Sequence, residues 1–240
     1  MIIDRLLQSA EQNLASRKVQ DVRIGLGYTA VILDDGTCGL AGTLTDGTNE
    51  CCTYMQDAGD LVGKQALEVA RYAILPSPVA ASVGVATLNA SLNKDGVEGP
   101  DLLEALPIDQ AVIGMVGYFE PFIDKLRQKS KKLHVFERRP LAPEVLPDWA
   151  AERIIPKCDV VILTAISLIN GTLDRLLSLS HGEVAIVGPT TPLSTILGDY
   201  GVKHLFGSLI TDPNAVMKIV SQAGGTQRFG SAIKKVYKKL

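Results

Sequence analysis

Apolar positions recur along this 240-residue chain with two different periods, and the change between them divides it. The opening MIIDRLLQSAEQNL spaces its apolar residues for one face of a helix, which predicts an amphipathic helix. VRIGLGYTAVILDDGTCGLAGTL then supplies two β-rich runs joined by Asp-Asp-Gly, so antiparallel strands are expected near residues 21 to 44. GKQALEVARYAI and SPVAASVGVATLNASLN read as helices; the second is so rich in Ala, Ser and Gly that it suits a domain interface, lying close against other backbone. The pattern changes across the polar NKDGVEGPDLL. From Asp109 onward five short apolar runs, AVIGMV, KLHVFE, DVVILTAI, GEVAIVG and KHLFGSLI, alternate with helix patterns and lack clean period-two polarity. That combination indicates a parallel sheet covered on both faces. The expected fold class is α/β: a small α+β domain over residues 1–100, then a Rossmann-like parallel sheet domain over residues 101–240.

In such a sheet the loops after the strands converge on one edge, where ligands bind. The first, GMVGYFEPF, contains Gly114 and Gly117, which permit close backbone approach at a helix start, although their spacing does not match G-x-G-x-x-G. The second strand ends at Glu137, about 20 residues on, where dinucleotide-binding proteins hold a ribose hydroxyl. Two arginines follow directly, however, and a solvated surface Glu-Arg-Arg stretch is the preferred reading. VVILTAISLINGT delivers Thr164, Asn170 and Thr172 to the same edge, with a turn at Asn170-Gly171 and an N-cap at Thr172 as the plain structural alternative. GPTTPLS brings Gly188, Pro189, Thr190 and Pro192, where Thr191 suits a helix cap and Pro192 the first helical position. Four consecutive loops of this kind point to a ligand cleft.

Composition narrows the occupant. With 46% hydrophobic and 21% charged residues the chain can bury a sizeable core, and a net charge of −2 gives no global attraction to nucleic acid or anionic membrane. The basic tail KKVYKKL is a local exception, read as lysines at the end of an amphipathic helix. No apolar run approaches the ~20 residues that span a bilayer, and a cytoplasmic location is expected. His134, His181 and His204 form no H-E-x-x-H pattern, and His134 reads as a core imidazole within a strand. No Walker motif, nucleophile elbow or kinase signature is present. Cys38, Cys51, Cys52 and Cys158 are expected as reduced thiols. TNECCTY sets Cys51 beside Cys52, and soft thiolates favour zinc or copper(I). Neighbours in extended chain point to opposite faces, however, so small buried hydrophobes are the competing reading.

The stretches VGVATLNASLN, VIGMVGYFEPFIDKLR, LTAISLINGTLDRLL and VGPTTPLSTILGDYGVKHLFGSLITDP resemble the DUF364 proteins with their amino-terminal DUF4213-type domain, a family labelled for heavy-metal chelation. The resemblance implies an enolase amino-terminal-like domain followed by the Rossmann-like one, with the site in the cleft between them. It carries Gly117, Glu120, Thr164, Asn170, Thr172, Gly188, Pro189 and Pro192 to that cleft, with Asn89 contributing from the first domain. It does not reach Cys51 or Cys52. The function expected is binding of a heavy-metal ion, or of a metal-chelating small molecule, with chelatase-like activity as an extension. There Glu120 or Glu137 would accept a proton, while Asn170, Thr164 and Thr190 orient the ligand. An enzyme using S-adenosylmethionine or NAD through Gly114, Gly117 and Glu137 is the alternative, and a non-catalytic scavenger is a third. The metal ligands, the occurrence of any reaction and homo-oligomerisation are left open.

Overall fold

The computed structural model describes residues 1–45, 53–139 and 142–240, so Glu50, Cys51 and Cys52 lie outside the described residues. Helix α1 (Ile2–Ala15) buries Ile2, Ile3, Leu6, Leu7, Ala10 and Leu14, the stripe that its spacing predicts. Strands β1 (Val19–Ile24), β2 (Tyr28–Leu33) and β3 (Cys38–Gly42) form an antiparallel sheet in that order. The β2–β3 turn runs through Gly36, whose φ of 82° suits the Asp-Asp-Gly signal. A short α2 (Ala66–Ala70) and a 3-10 turn (Arg71–Ile74) lead into α3 (Pro78–Leu92).

Helix α3 has no polar face. Its small residues let it lie directly on backbone: a Cβ on Gly39 would stand 1.9 Å from the Ala86 carbonyl oxygen, and one on Gly84 would stand 2.0 Å from the Ala73 nitrogen. Ala, Ser and Gly in this helix therefore serve close approach, as the sequence suggested. The opposite face of the small sheet is also covered, because Ala30, Ile32, Cys38 and Leu40 share a core with Val216, Met217 and Val220 from much later in the chain.

After α4 (Leu102–Ala105) come β4 (Val112–Val116), α5 (Glu120–Lys129), β5 (Lys132–Glu137), the two-residue β6 (Leu146–Pro147), α6 (Ala151–Ile154) and β7 (Val160–Thr164). The chain continues through α7 (Ile166–Ile169), α8 (Leu173–Leu179), β8 (Glu183–Val187), β9 (Val202–Ile210), α9 (Pro213–Ser221), α10 (Thr226–Phe229) and β10 (Ile233–Lys239). The large sheet has the order β10-β9-β8-β7-β4-β5-β6, parallel except for β10 against β9. All five predicted strands are present and parallel. Val160, Val161, Ile162 and Leu163 of central β7 are wholly buried, as a strand covered on both faces requires.

Two local expectations are corrected. KKVYKKL is not a helix end but most of β10, paired with β9 from Ile233↔Ile210 to Lys239↔His204. Ile, Val and Tyr favour strand, and lysines on the last strand discourage further pairing. In GPTTPLS, Thr191 and Pro192 do not start a helix: the 3-10 helix begins at Thr195, and the Ser194 side chain accepts the Ile196 N–H as its cap. Among the described residues, no helix is long and apolar enough to cross a membrane.

Candidate functional site

The chain enters the large sheet at β4, runs outward through β5 and β6, then returns to the other side of β4 with β7. Connections on the two flanks of the β4–β7 pair therefore leave in opposite directions, opening a crevice at the strands' carboxyl ends. Gly117 occupies the point of divergence, with φ 97°. Its N–H reaches the Phe136 carbonyl oxygen (2.9 Å), and a Cβ there would lie 3.0 Å from the Thr164 Cβ. The position thus needs a glycine for both its dihedral angle and its space.

A cleft of about 480 Å³ opens over this point. Its walls are Val116, Gly117 and Phe119 after β4, Phe136, Glu137 and Arg138 after β5, Thr164 and Ser167 after β7, and Leu176 of α8, with Leu44 from the first half. Leu44 is positioned by its N–H donating to Ser82 Oγ (3.1 Å). Trp149, 71% exposed, stands at the rim. An adjoining chamber of about 380 Å³ shares Leu44, Arg138, Ser167 and Asn170 with the first.

Asn170 Oδ1 accepts the Thr172 N–H (3.1 Å) and the Thr172 hydroxyl (2.7 Å), closing the turn between α7 and α8. Thr172 occupies the N-cap position of α8, but its side chain caps nothing, because its hydroxyl serves Asn170. The Asn170 amide nitrogen, also on the cleft wall, has no hydrogen-bond partner among the described residues. Thr164 Oγ1 accepts the Ile166 N–H (3.3 Å), and the Ser167 hydroxyl donates to the Thr164 carbonyl (2.6 Å). Gly117, Glu137, Thr164, Asn170 and Thr172 are therefore gathered in one cleft, as the sequence reading placed them.

Charge in the cleft is paired. Arg138 Nε donates to Asp148 (3.3 Å), and Arg175 forks onto Glu152, whose carboxyl it holds below the ordinary carboxylate range. Glu137 differs: its Oε1 accepts the Arg138 N–H (2.7 Å), and among the described residues its carboxylate has no cationic side-chain partner.

Other expected site residues lie elsewhere. Gly114 is the third residue of β4, where a Cβ would lie 3.0 Å from Cys158 Sγ, so it makes room for packing and lines neither chamber. Glu120 is exposed in the first turn of α5, away from both chambers. Asn89 is fully buried, its amide nitrogen donating to the Leu40 and Thr190 carbonyls (both 2.9 Å). Thr190 Oγ1 accepts the Gly42 N–H (2.9 Å), and Asn93 bonds Thr191 and Leu193. The 188–193 loop, with Gly188, Pro189 and Pro192, is thus a fastener between the two halves rather than cleft wall. Trp149, Arg138, Arg175 and Ser167 escaped the sequence reading; the chain's single Trp, in the link between β5 and β7, was the available signal for the first.

The described thiols do not face the cleft. Cys38 packs against α9, and burial pushes its pKa up to about 12; Cys158 beneath Gly114 is pushed up to about 11, chiefly by burial. Both remain protonated near neutrality and are poor soft-metal ligands. Among the described residues, no group of three or more His, Cys, Asp or Glu is placed to hold a metal ion. The residues described here do not fit a bare thiophilic ion. His204, which the sequence left unassigned, is buried at the far end of the sheet, between Glu183 (2.7 Å) and Tyr237 (2.8 Å).

The fold defines an α/β protein with a mostly parallel, Rossmann-like sheet and a cleft at its switch point. The chain belongs to the DUF364 family: that family's model matches residues 101–239 and the DUF4213 model residues 7–92, both carrying the description "Putative heavy-metal chelation". An uncharacterized protein of Methanocaldococcus jannaschii is 27% identical over 98% of this chain and 96% of its own length. DUF364 crystal structures of unknown function from Desulfitobacterium hafniense and Pyrococcus horikoshii give TM-scores of 0.85 and 0.87 at 24% identity. The first covers 99% of this chain and 98% of its own; the second covers 100% of each. The likeness to enolase-type folds is weak: 2-chloromuconate cycloisomerase of Rhodococcus opacus gives a TM-score of 0.31.

Proposed function

We propose that the protein binds a small metal-chelating organic molecule in the switch-point cleft, with any metal arriving as that molecule's cargo. The observation that carries this reading is the chemistry of the walls. The lining combines the rings of Phe119 and Trp149 with Val116 and Phe136, while Asn170, Thr164 and Ser167 supply hydrogen-bonding groups. Such a surface selects a planar organic ligand, whose own donors would hold the metal. If proton transfer accompanies binding, Glu137 is the carboxylate available to accept it.

Trp149 is the only tryptophan, so its fluorescence reports the cleft without a label. Saturable quenching by tetrapyrrole or pterin chelators, metal-free or loaded, is expected. Quenching by S-adenosylmethionine or NAD alone would replace this reading with a second, favoured by one observation: Glu137 ends β5 beside Gly117, where a ribose would be held. In that case Glu137→Ala abolishes quenching.

Asn170 separates binding from folding. Asn170→Asp keeps the acceptor for Thr172 and removes the amide donor, so affinity for the quenching chelator should fall about tenfold with the melting temperature nearly unchanged. Asn170→Ala also breaks the turn and should cost about 1 kcal/mol of stability. Unaltered affinity in Asn170→Asp would confine Asn170 to its turn.

A further inference from the structure

The second chamber is the larger surprise. It lies between Ala73–Pro78, the amino end of α1 and α7: Ile74, Leu75, Pro76, Leu168 and Ile169 form an aliphatic part of its walls, and Asp4 and Asp174 line it as well. Exposed apolar side chains collect along the combined groove. Met1 (67%), Ile74 (52%) and Leu75 (45%) border the second chamber, and Trp149 borders the first. Isolated exposed apolar residues are ordinary, but a contiguous set along a groove marks a binding surface. The wall common to both chambers carries Arg138 and Asn170. Among the described residues the Arg138 side chain is paired with the exposed Asp148 at 3.3 Å, a solvent-screened pair that a ligand anion can replace.

Resting on the cleft reading above, we infer that the ligand is elongated and three-part: a planar ring in the switch-point chamber, an anionic group at Arg138, and an apolar tail in the chamber lined by Ile74 and Leu75. Continuity of the two chambers through shared residues supports a single molecule spanning both. Their volumes, about 480 and 380 Å³, are each within the range of small-molecule sites, so ring and tail have separate seats. Leu44, which lines both chambers, and Ala73 and Leu75, which line the second, come from the first half of the chain, while Phe136 and Thr164 come from the second, so a ligand spanning both chambers would touch both parts.

The N-dansyl derivatives of glycine and of α-aminooctanoic acid test this directly. Both carry a planar ring and an adjacent carboxylate, and only the second has an alkyl tail. Energy transfer from Trp149 to the dansyl group reads binding. The tailed probe is expected to bind at least about tenfold more tightly, consistent with burial of several methylenes. Leu75→Asp, at an exposed position, should remove most of that advantage and change dansylglycine affinity less than about twofold. Arg138→Gln should weaken both probes. Equal affinities for the two probes, or equal losses in Leu75→Asp, overturn the tail chamber while dansylglycine binding keeps the cleft reading intact. Quenching by neither probe overturns the three-part ligand, while the cleft reading stands or falls on the chelators.

Discussion

Asn89→Asp is expected to lose about 3–5 kcal/mol of stability at neutral pH, the cost of an uncompensated buried charge. Asn89 is wholly buried, and its amide nitrogen is 2.9 Å from two carbonyl oxygens, on Leu40 and Thr190. Aspartate would bring a carboxylate oxygen against both acceptors. The Asn89 Oδ1 has no partner among the described residues, so the second carboxylate oxygen finds no donor there either. Burial and repulsion both favour the neutral acid, raising the folded-state pKa above the unfolded value of about 3.9. Between those two values the native state holds the extra proton, so stability falls as pH rises through the folded pKa and is recovered on acidification. Urea denaturation of Asn89→Asp and the parent at mildly acidic and mildly alkaline pH reads the difference. A loss independent of pH would mean that the site admits water and that the two halves are fastened less tightly than these bonds imply.

The second large effect is steric. A methyl group on Gly39 would stand 1.9 Å from the Ala86 carbonyl oxygen, 2.3 Å from the Ala90 nitrogen and 2.9 Å from the Asn89 carbonyl carbon, all backbone of α3. Neither strand nor helix can yield by rotating a side chain. Gly39→Ala should therefore cost about 3 kcal/mol, at the upper end of ordinary overpacking, and lower the melting temperature accordingly. Gly27→Ala is the control: nothing lies within 4 Å of its Cβ position, and a change within about 0.5 kcal/mol is expected. Equal melting temperatures for the two variants would show that β3 and α3 do not pack at this distance.

Much of this architecture is legible in the sequence because the large sheet is assembled from signals that are local and redundant. VVILT is apolar without alternation and ends at a threonine, and both features are realised in β7. The cleft was legible to the same extent: Gly117, Thr164 and Asn170 meet because sheet topology alone brings the ends of β4 and β7 together. What failed was the fourth loop. Hydroxyls and glycines in GPTTPLS look the same whether they face a ligand or another backbone, and only the position of Asn89 and Gly42 decides that Thr190 fastens the halves. Gly114 failed for a related reason, since a glycine needed to clear Cys158 within a strand is indistinguishable in sequence from one that clears a ligand. The tail KKVYKKL misled because its lysines suit a helix terminus and a guarded strand edge equally; its partner in β9 lies outside any local window. Trp149 and Arg138 belong to the link between β5 and β7, where no periodic pattern marks which residues turn inward.

The covering of the small sheet by α9 has a consequence for synthesis on the ribosome. Ala30, Ile32 and Leu40 are among the earlier apolar residues to emerge, yet Val216, Met217 and Val220, which cover them, follow after more than 170 further residues, by subtraction from Leu40 to Val216. Through most of translation that face is a flat apolar surface with no cover, the kind of intermediate that chaperones engage. β10 is made later still, and Val97, which exchanges backbone hydrogen bonds with Tyr237, can be strapped down only once it has emerged. A nascent chain arrested before Pro213 should accordingly be the form most prone to aggregate.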